Sequence, residues 1–135
     1  MGKSILYAVN LTAQNVADGN TINFGSLVRK YGCDCNISGG NAVVRSSGFY
    51  DVDTNIDFTA SAAGTVTIAL YQDGVAIPGA YSTRTVVADT QYQITIPAVI
   101  RTRCCRCNDS TITAVVTGQA INVTNAAVIV ERSAV

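Results

Sequence analysis

The chain has no histidine, no tryptophan, one methionine and two prolines among its 135 residues. Without histidine it lacks the commonest general base, both the Ser-His and Cys-His dyads, and any histidine-rich metal site. Charge is also scarce, at 13% of residues, about half the usual share. A surface that poor in charge is expected to be covered in part, most simply by copies of the same chain. Nine basic and nine acidic residues cancel to a net charge of zero, so no electrostatic footprint for nucleic acid or an anionic membrane exists. No run approaches the roughly 20 apolar residues that a membrane-spanning helix needs. Ile5-Leu6-Tyr7-Ala8-Val9 is too short for the core of an export signal, and Asn10 interrupts it. Met1-Gly2-Lys3-Ser4 starts like a myristoylation site, but Leu6 stands where Ser or Thr is required. Synthesis in a reducing cytosol is expected.

What the chain has in abundance is alternation. In residues 48–59, Tyr50, Val52, Ile56 and Phe58 take every second position, and in residues 64–74 Val66, Ile68 and Leu70 do the same. That is the period of a half-buried strand. Sustained apolar spacing at i, i+3, i+4 and i+7 is absent, and β-branched residues stand where helices favour Ala, Leu, Glu and Lys. Strands are predicted at residues 4–10, 21–24, 41–45, 49–60, 65–72, 81–87, 91–100, 111–117, 120–124 and 127–132. Turn signals separate them: Asp18-Gly19-Asn20, Ser38-Gly39-Gly40-Asn41, Asp73-Gly74, Pro78-Gly79 and Gly118-Gln119. Pro97 suits a bulge or a sheet edge. Closely spaced short strands in a chain of this length indicate one domain, residues 1–135, folded as an antiparallel β-sandwich or barrel.

Three segments resemble the C1q and tumour-necrosis-factor-like jelly rolls. Gly48-Phe49-Tyr50-Asp51-Val52 is similar to their central Gly-x-Tyr-x-Val/Phe strand. Residues 64–74 resemble the strand after it with its Asn/Asp-Gly turn, and residues 125–132 resemble the last strand. The resemblance covers most of the chain from Gly48 onward, while Tyr31-Gly32-Cys33-Asp34-Cys35 has no counterpart in it. It implies an all-β jelly roll and a homotrimer in which each sandwich buries one face around a three-fold axis. Six tyrosines against three phenylalanines fit such an interface, because a tyrosine ring buries area while its hydroxyl finds a partner.

Two groups of residues bear on chemistry. Asp51, Asp53 and Asp57 share one strand face, opposite Tyr50, Val52, Ile56 and Phe58. Paired acids can serve a glycosidase or bind calcium, but a solvated strand face explains them more simply. The five cysteines fall in two short segments, Cys33-Asp34-Cys35 and Cys104-Cys105-Arg106-Cys107, both expected to be loops. Arg101, Arg103 and Arg106 interleave the second. Cys33, Cys35, Cys104 and Cys107 could form a tetrahedral thiolate site for zinc. Disulfides across the two loops, or unpaired thiols, account for the same residues. Apart from that zinc, no cofactor is expected.

With no catalytic set, the chain is expected to be a non-enzymatic structural protein. The resemblance extends this to a bacteriophage virion, as a trimeric capsid decoration or a head or tail fibre component made in the host cytoplasm. Its partners would be itself and other virion proteins, with neither nucleic acid nor membrane. The alternative is a bacterial cell-surface or spore-coat module that binds carbohydrate or protein through Tyr81, Tyr92 and the arginines of residues 101–106.

Overall fold

In a computed structural model, residues 4–32, 34–45, 47–102 and 110–134 are described, with no helix among them. Eleven strands form there: β1 (Ile5–Asn10), β2 (Gln14–Val16), β3 (Ser26–Tyr31), β4 (Cys35–Ser38), β5 (Asn41–Val44), β6 (Gly48–Ala60), β7 (Gly64–Gln72), β8 (Val75–Val86), β9 (Gln91–Thr102), β10 (Ser110–Thr117) and β11 (Ile121–Ala134). They build two antiparallel sheets. The first runs β3-β1-β11-β6-β9, with β2 paired to β11, and the second runs β4-β5-β10-β7-β8. This is the antiparallel sandwich expected from the alternation, arranged as the jelly roll that the resemblance implied.

The core is the set of positions that alternation assigns. Along β6, Tyr50, Val52, Thr54, Ile56, Phe58 and Ala60 are buried, while the residues between them face out. Across the sandwich Val66, Ile68 and Leu70 of β7 and Ile112, Ala114 and Val116 of β10 are buried too. Each large side chain removed from water here is worth roughly 1.5–3 kcal/mol. Thr54 is the polar exception in β6, and its hydroxyl donates to the Ile96 carbonyl at 3.1 Å.

The turns follow from local chemistry. Asp73 and Gly74 both have positive φ, 53° and 83°, as a two-residue hairpin between β7 and β8 requires. The Asp73 carboxylate also accepts the Thr111 N–H at 2.9 Å, tying the hairpin to β10. Gly118 has φ 106°, and a Cβ there would run into the Thr65 carbonyl. Only glycine fits that approach.

Four segments depart from the predicted strands, three of them for evident physical reasons. Residues 120–124 and 127–132 belong to one strand, β11, in which the register shifts between Val123 and Asn125. That bulge switches the buried phase from Ile121 and Val123 to Ala126, Val128 and Val130, so one strand reads as two. Pro78-Gly79 is not a turn. It lies inside β8, where pairing with β7 shifts between Ala69 and Tyr71, and an edge strand tolerates the missing N–H. β3 escaped prediction because all six of its residues are exposed, which leaves no alternation to read. Residues 21–24 form only an isolated bridge, Thr21 to Val115, although Ile22 and Phe24 are buried.

The bulge gives a direct test. Deleting Thr124 would remove the phase switch and turn Ile121 and Val123 toward solvent, with a predicted loss of at least about 3 kcal/mol. A urea midpoint lowered at unchanged m-value is the expected result.

Candidate functional site

The outer face of the first sheet is the most distinctive surface of the molecule. Strand pairing aligns its side chains in rows that cross five strands. One row is Tyr31-Ile5-Glu131-Asp51-Val99 and the next is Arg29-Tyr7-Ile129-Asp53-Pro97, each read from β3 to β9. Large apolar groups in these rows meet water: Ile5 is 39% exposed, Ile129 40%, Val99 62% and Tyr31 69%. Phe49, also exposed, lies beneath the Arg101 guanidinium, 5.5 Å from the ring centre.

Toward the opposite end the same face changes character. Asn15, Asn122, Thr59 and Gln91 make a row of amides and hydroxyls. Nearby, Gln93 Nε2 donates to Asn55 Oδ1 at 2.7 Å, and Gln91 Nε2 donates to Thr124 Oγ1 at 3.1 Å. A recess of about 250 Å³ at this end is lined by Asn15, Thr59, Ser61, Asp89 and Asn122, among others. The outer face of the second sheet differs again. Thr65, Thr67, Thr83, Thr85, Thr111, Thr113 and Thr117 dominate it, and among the described residues Tyr81 is the one exposed large apolar residue it carries.

Asp51, Asp53 and Asp57 share the outer face of β6, as expected from their spacing. Asp57 accepts a hydrogen bond from Asn125 Nδ2 at 3.3 Å. Asp51 and Asp53 line an open recess of about 350 Å³ with Pro97, Ala98 and Val99. Among the described residues, no group of three or more acidic or cysteine side chains is placed to hold a metal.

The aromatic and arginine contacts proposed for the surface-module alternative do not form one site. Tyr92 and Arg101 lie nine residues apart on β9, roughly 30 Å at about 3.3 Å per residue. Tyr92 packs on Phe58 with ring centres 6.0 Å apart, and its hydroxyl accepts the Val87 N–H at 2.8 Å. It is a structural side chain. Tyr81 is exposed on the edge strand of the other sheet. Arg103 and Arg106 lie outside the described residues.

Of the four possible zinc ligands, Cys33, Cys104 and Cys107 lie outside the described residues, as does Cys105. Cys35 is described, and it begins β4, where a loop was expected. Its partner in register is Val44, which also pairs with Ser110. Thr102 pairs with Gly48. Cys35, Thr102 and Ser110 therefore lie at one end of the sandwich.

A buried polar clamp holds the first segment. Arg132, 6% exposed, follows Val128 and Val130 in the inward phase of β11 and ends against Asp34. Its Nη1 lies 3.4 Å from Asp34 Oδ2, which also accepts Ser4 Oγ–H at 2.8 Å. Arg132 Nη2 donates to the Ser47 carbonyl at 2.5 Å. An arginine fork suits such a site because its planar donors serve two acceptors at once. The alternation marks position 132 as inward-facing, yet nothing in the sequence announces Asp34 as its counter-ion, 98 residues away.

The Cys35 thiol is pushed up to about 11, first by burial and then by the neighbouring Asp34 charge. Lys30 and Arg132 pull the other way, but desolvation outweighs them.

No protein-family model matches the chain, and no curated protein matches it in sequence. Solved structures show that its fold is that of the C1q and tumour-necrosis-factor-like jelly rolls. Murine APRIL, crystallised at pH 5.0, superposes with a TM-score of 0.76 at 13% identity, over 98% of this chain and all of that one. Eiger TNF from S. frugiperda gives 0.70 at 8% identity, covering 97% and 91% of the two chains. The globular domain of zebrafish complement 1qA gives 0.65 at 9% identity, covering 96% and 98%. These are shared folds without shared sequence.

The thiol supplies a prediction. In a variant with Ser at the other four cysteine positions, Cys35 should react at pH 8 on the order of 100-fold more slowly folded than in urea. The same variant should hold its stability up to about pH 9. It should lose stability between about 9 and 11, where the unfolded chain releases a proton that the folded chain keeps. A chevron or urea series across that range measures the slope.

Proposed function

We propose that this chain is a non-enzymatic structural component of a bacteriophage virion, a capsid decoration or a head or tail fibre part that assembles as a homotrimer through the first sheet. The observation that carries the self-association is where the exposed apolar residues fall. Of the 12 large hydrophobic residues left exposed among the described residues, Ile5, Tyr7, Tyr31, Phe49, Val99 and Ile129 lie on the outer face of this sheet. Six such groups on one face make a surface of the kind that soluble proteins cover with a partner. The acidic side chains between them hold that surface in water until it is covered.

The non-enzymatic half rests on the missing histidine and on a described thiol that stays protonated near neutral pH. The virion role rests on the resemblance to small trimeric jelly rolls combined with scarce charge. It places the chain in particles assembled in the host cytoplasm, beside other virion proteins. The polar recess at Asn15, Thr59, Asp89 and Asn122 favours one other reading, a surface module on a bacterial cell that binds an uncharged carbohydrate.

Sedimentation velocity should find three copies at micromolar concentration, and Ile129→Glu should raise the concentration of half-dissociation at least tenfold. Purified particles should contain the chain in multiples of three per vertex or capsomer. A monomeric wild type would overturn the assembly role. Glycan-array binding that Asn122→Ala abolishes would transfer the function to the carbohydrate module.

A further inference from the structure

The two ends of the outer-face rows carry complementary groups. At the β3 end stand Arg29 and Tyr31, on a strand exposed on both sides. At the β9 end, Asp53 and Asp51 line the recess with Pro97 and Val99. The row from Arg29 reaches Asp53, and the row from Tyr31 reaches Asp51 and Val99. Within one chain these groups cannot meet. Three interstrand steps of about 4.8 Å separate Arg29 from Asp53, roughly 14 Å. Among the described residues, neither Arg29 nor the two aspartates make an ion pair.

Closed cyclic symmetry changes that geometry. A rotation about an axis running along the strands moves each residue sideways but keeps its level. In a ring with the first sheets facing inward, β3 of one copy therefore comes beside β9 of the next, and the two ends of one row meet. We infer that the recess formed by Asp51, Asp53, Pro97 and Val99 is a docking site for Arg29 and Tyr31 of a second copy of this chain. The inference rests on the self-association proposed above and specifies its head-to-tail contact. Such a contact is heterologous, and it closes only when the rotation completes a ring.

The chemistry fits at each level. Arg29 brings a guanidinium to carboxylates that form no ion pair among the described residues, and Tyr31 lays a ring on Pro97 and Val99. The edge of β9 also favours side-chain docking over continuation of the sheet. Pro97 offers no N–H, and the carbonyls of Gln93 and Arg101 already accept Arg84 Nη1 and Gln72 Nε2, both at 3.3 Å. Those three positions are closed to a neighbouring strand.

Charge exchange within one chain tests the contact. Arg29→Glu and Asp53→Arg, made singly, each set like charges against one another at every interface of the ring. Each should raise the concentration of half-dissociation at least tenfold by sedimentation velocity. Combined in one chain, R29E and D53R restore opposite charges at every interface, and the double variant should reassemble to within about threefold of wild type. Circular dichroism confirms that all three variants are folded, and recovery in the double variant separates lost contact from lost fold. A trimeric wild type whose single variants assemble normally overturns this contact and leaves self-association standing. So does a double variant no better than the singles. A monomeric wild type overturns the self-association itself.

Discussion

The structure depends on the antiparallel pairing of β6 with β11 in the middle of the first sheet. It runs from Phe49–Ala134 to Ala60–Ile121, and it matches in length the pairing of β6 with β9 on the other side. Because side chains alternate with period two, that register decides which face of each strand enters the core. Tyr50, Val52, Ile56 and Phe58 go in from β6, and Val123, Ala126, Val128 and Val130 go in from β11. Everything on the outer face is then placed by default. Asp51, Asp53, Ile129 and Glu131 are outside because their neighbours are inside.

The same pairing links the ends of the molecule. At one end the inward phase of β11 delivers Arg132 to Asp34, a charge pair almost out of solvent that fixes the segment leading to β4. Removing one partner from such a pair is costly, since the remaining charge stays buried. At the other end the bulge near Thr124 lets β11 reach β2 and close the row of amides. A strand of uniform phase would have turned either Ile121 and Val123, or Val128 and Val130, into water.

Much of the fold was legible in the sequence because period-two patterning is a local signal. It held for β6, β7, β9 and β10, whose inner faces are mainly apolar, with Thr54, Thr102 and Ser110 as buried polar exceptions. It failed at β3, where an edge strand overhanging the core has no buried face, and at Pro78-Gly79, where turn-forming residues make a bulge in an edge. The candidate site was less legible. The three aspartates were placed on one face, but the apolar groups beside them come from β1, β9 and β11, and only pairing brings them together. Tyr92, singled out as a surface contact, is instead half-buried against the core.

The sequence by itself determined an all-β domain, the inward residues of its long strands, the lack of histidine chemistry and the shared face of Asp51, Asp53 and Asp57. These are statements about spacing and composition. Only the tertiary structure decided that Arg29 lies level with Asp53, that the exposed apolar residues gather on one sheet and that Cys35 is buried and protonated. Each of those depends on the register between strands far apart in the chain, and register is chosen by how two faces pack together, not by any one segment.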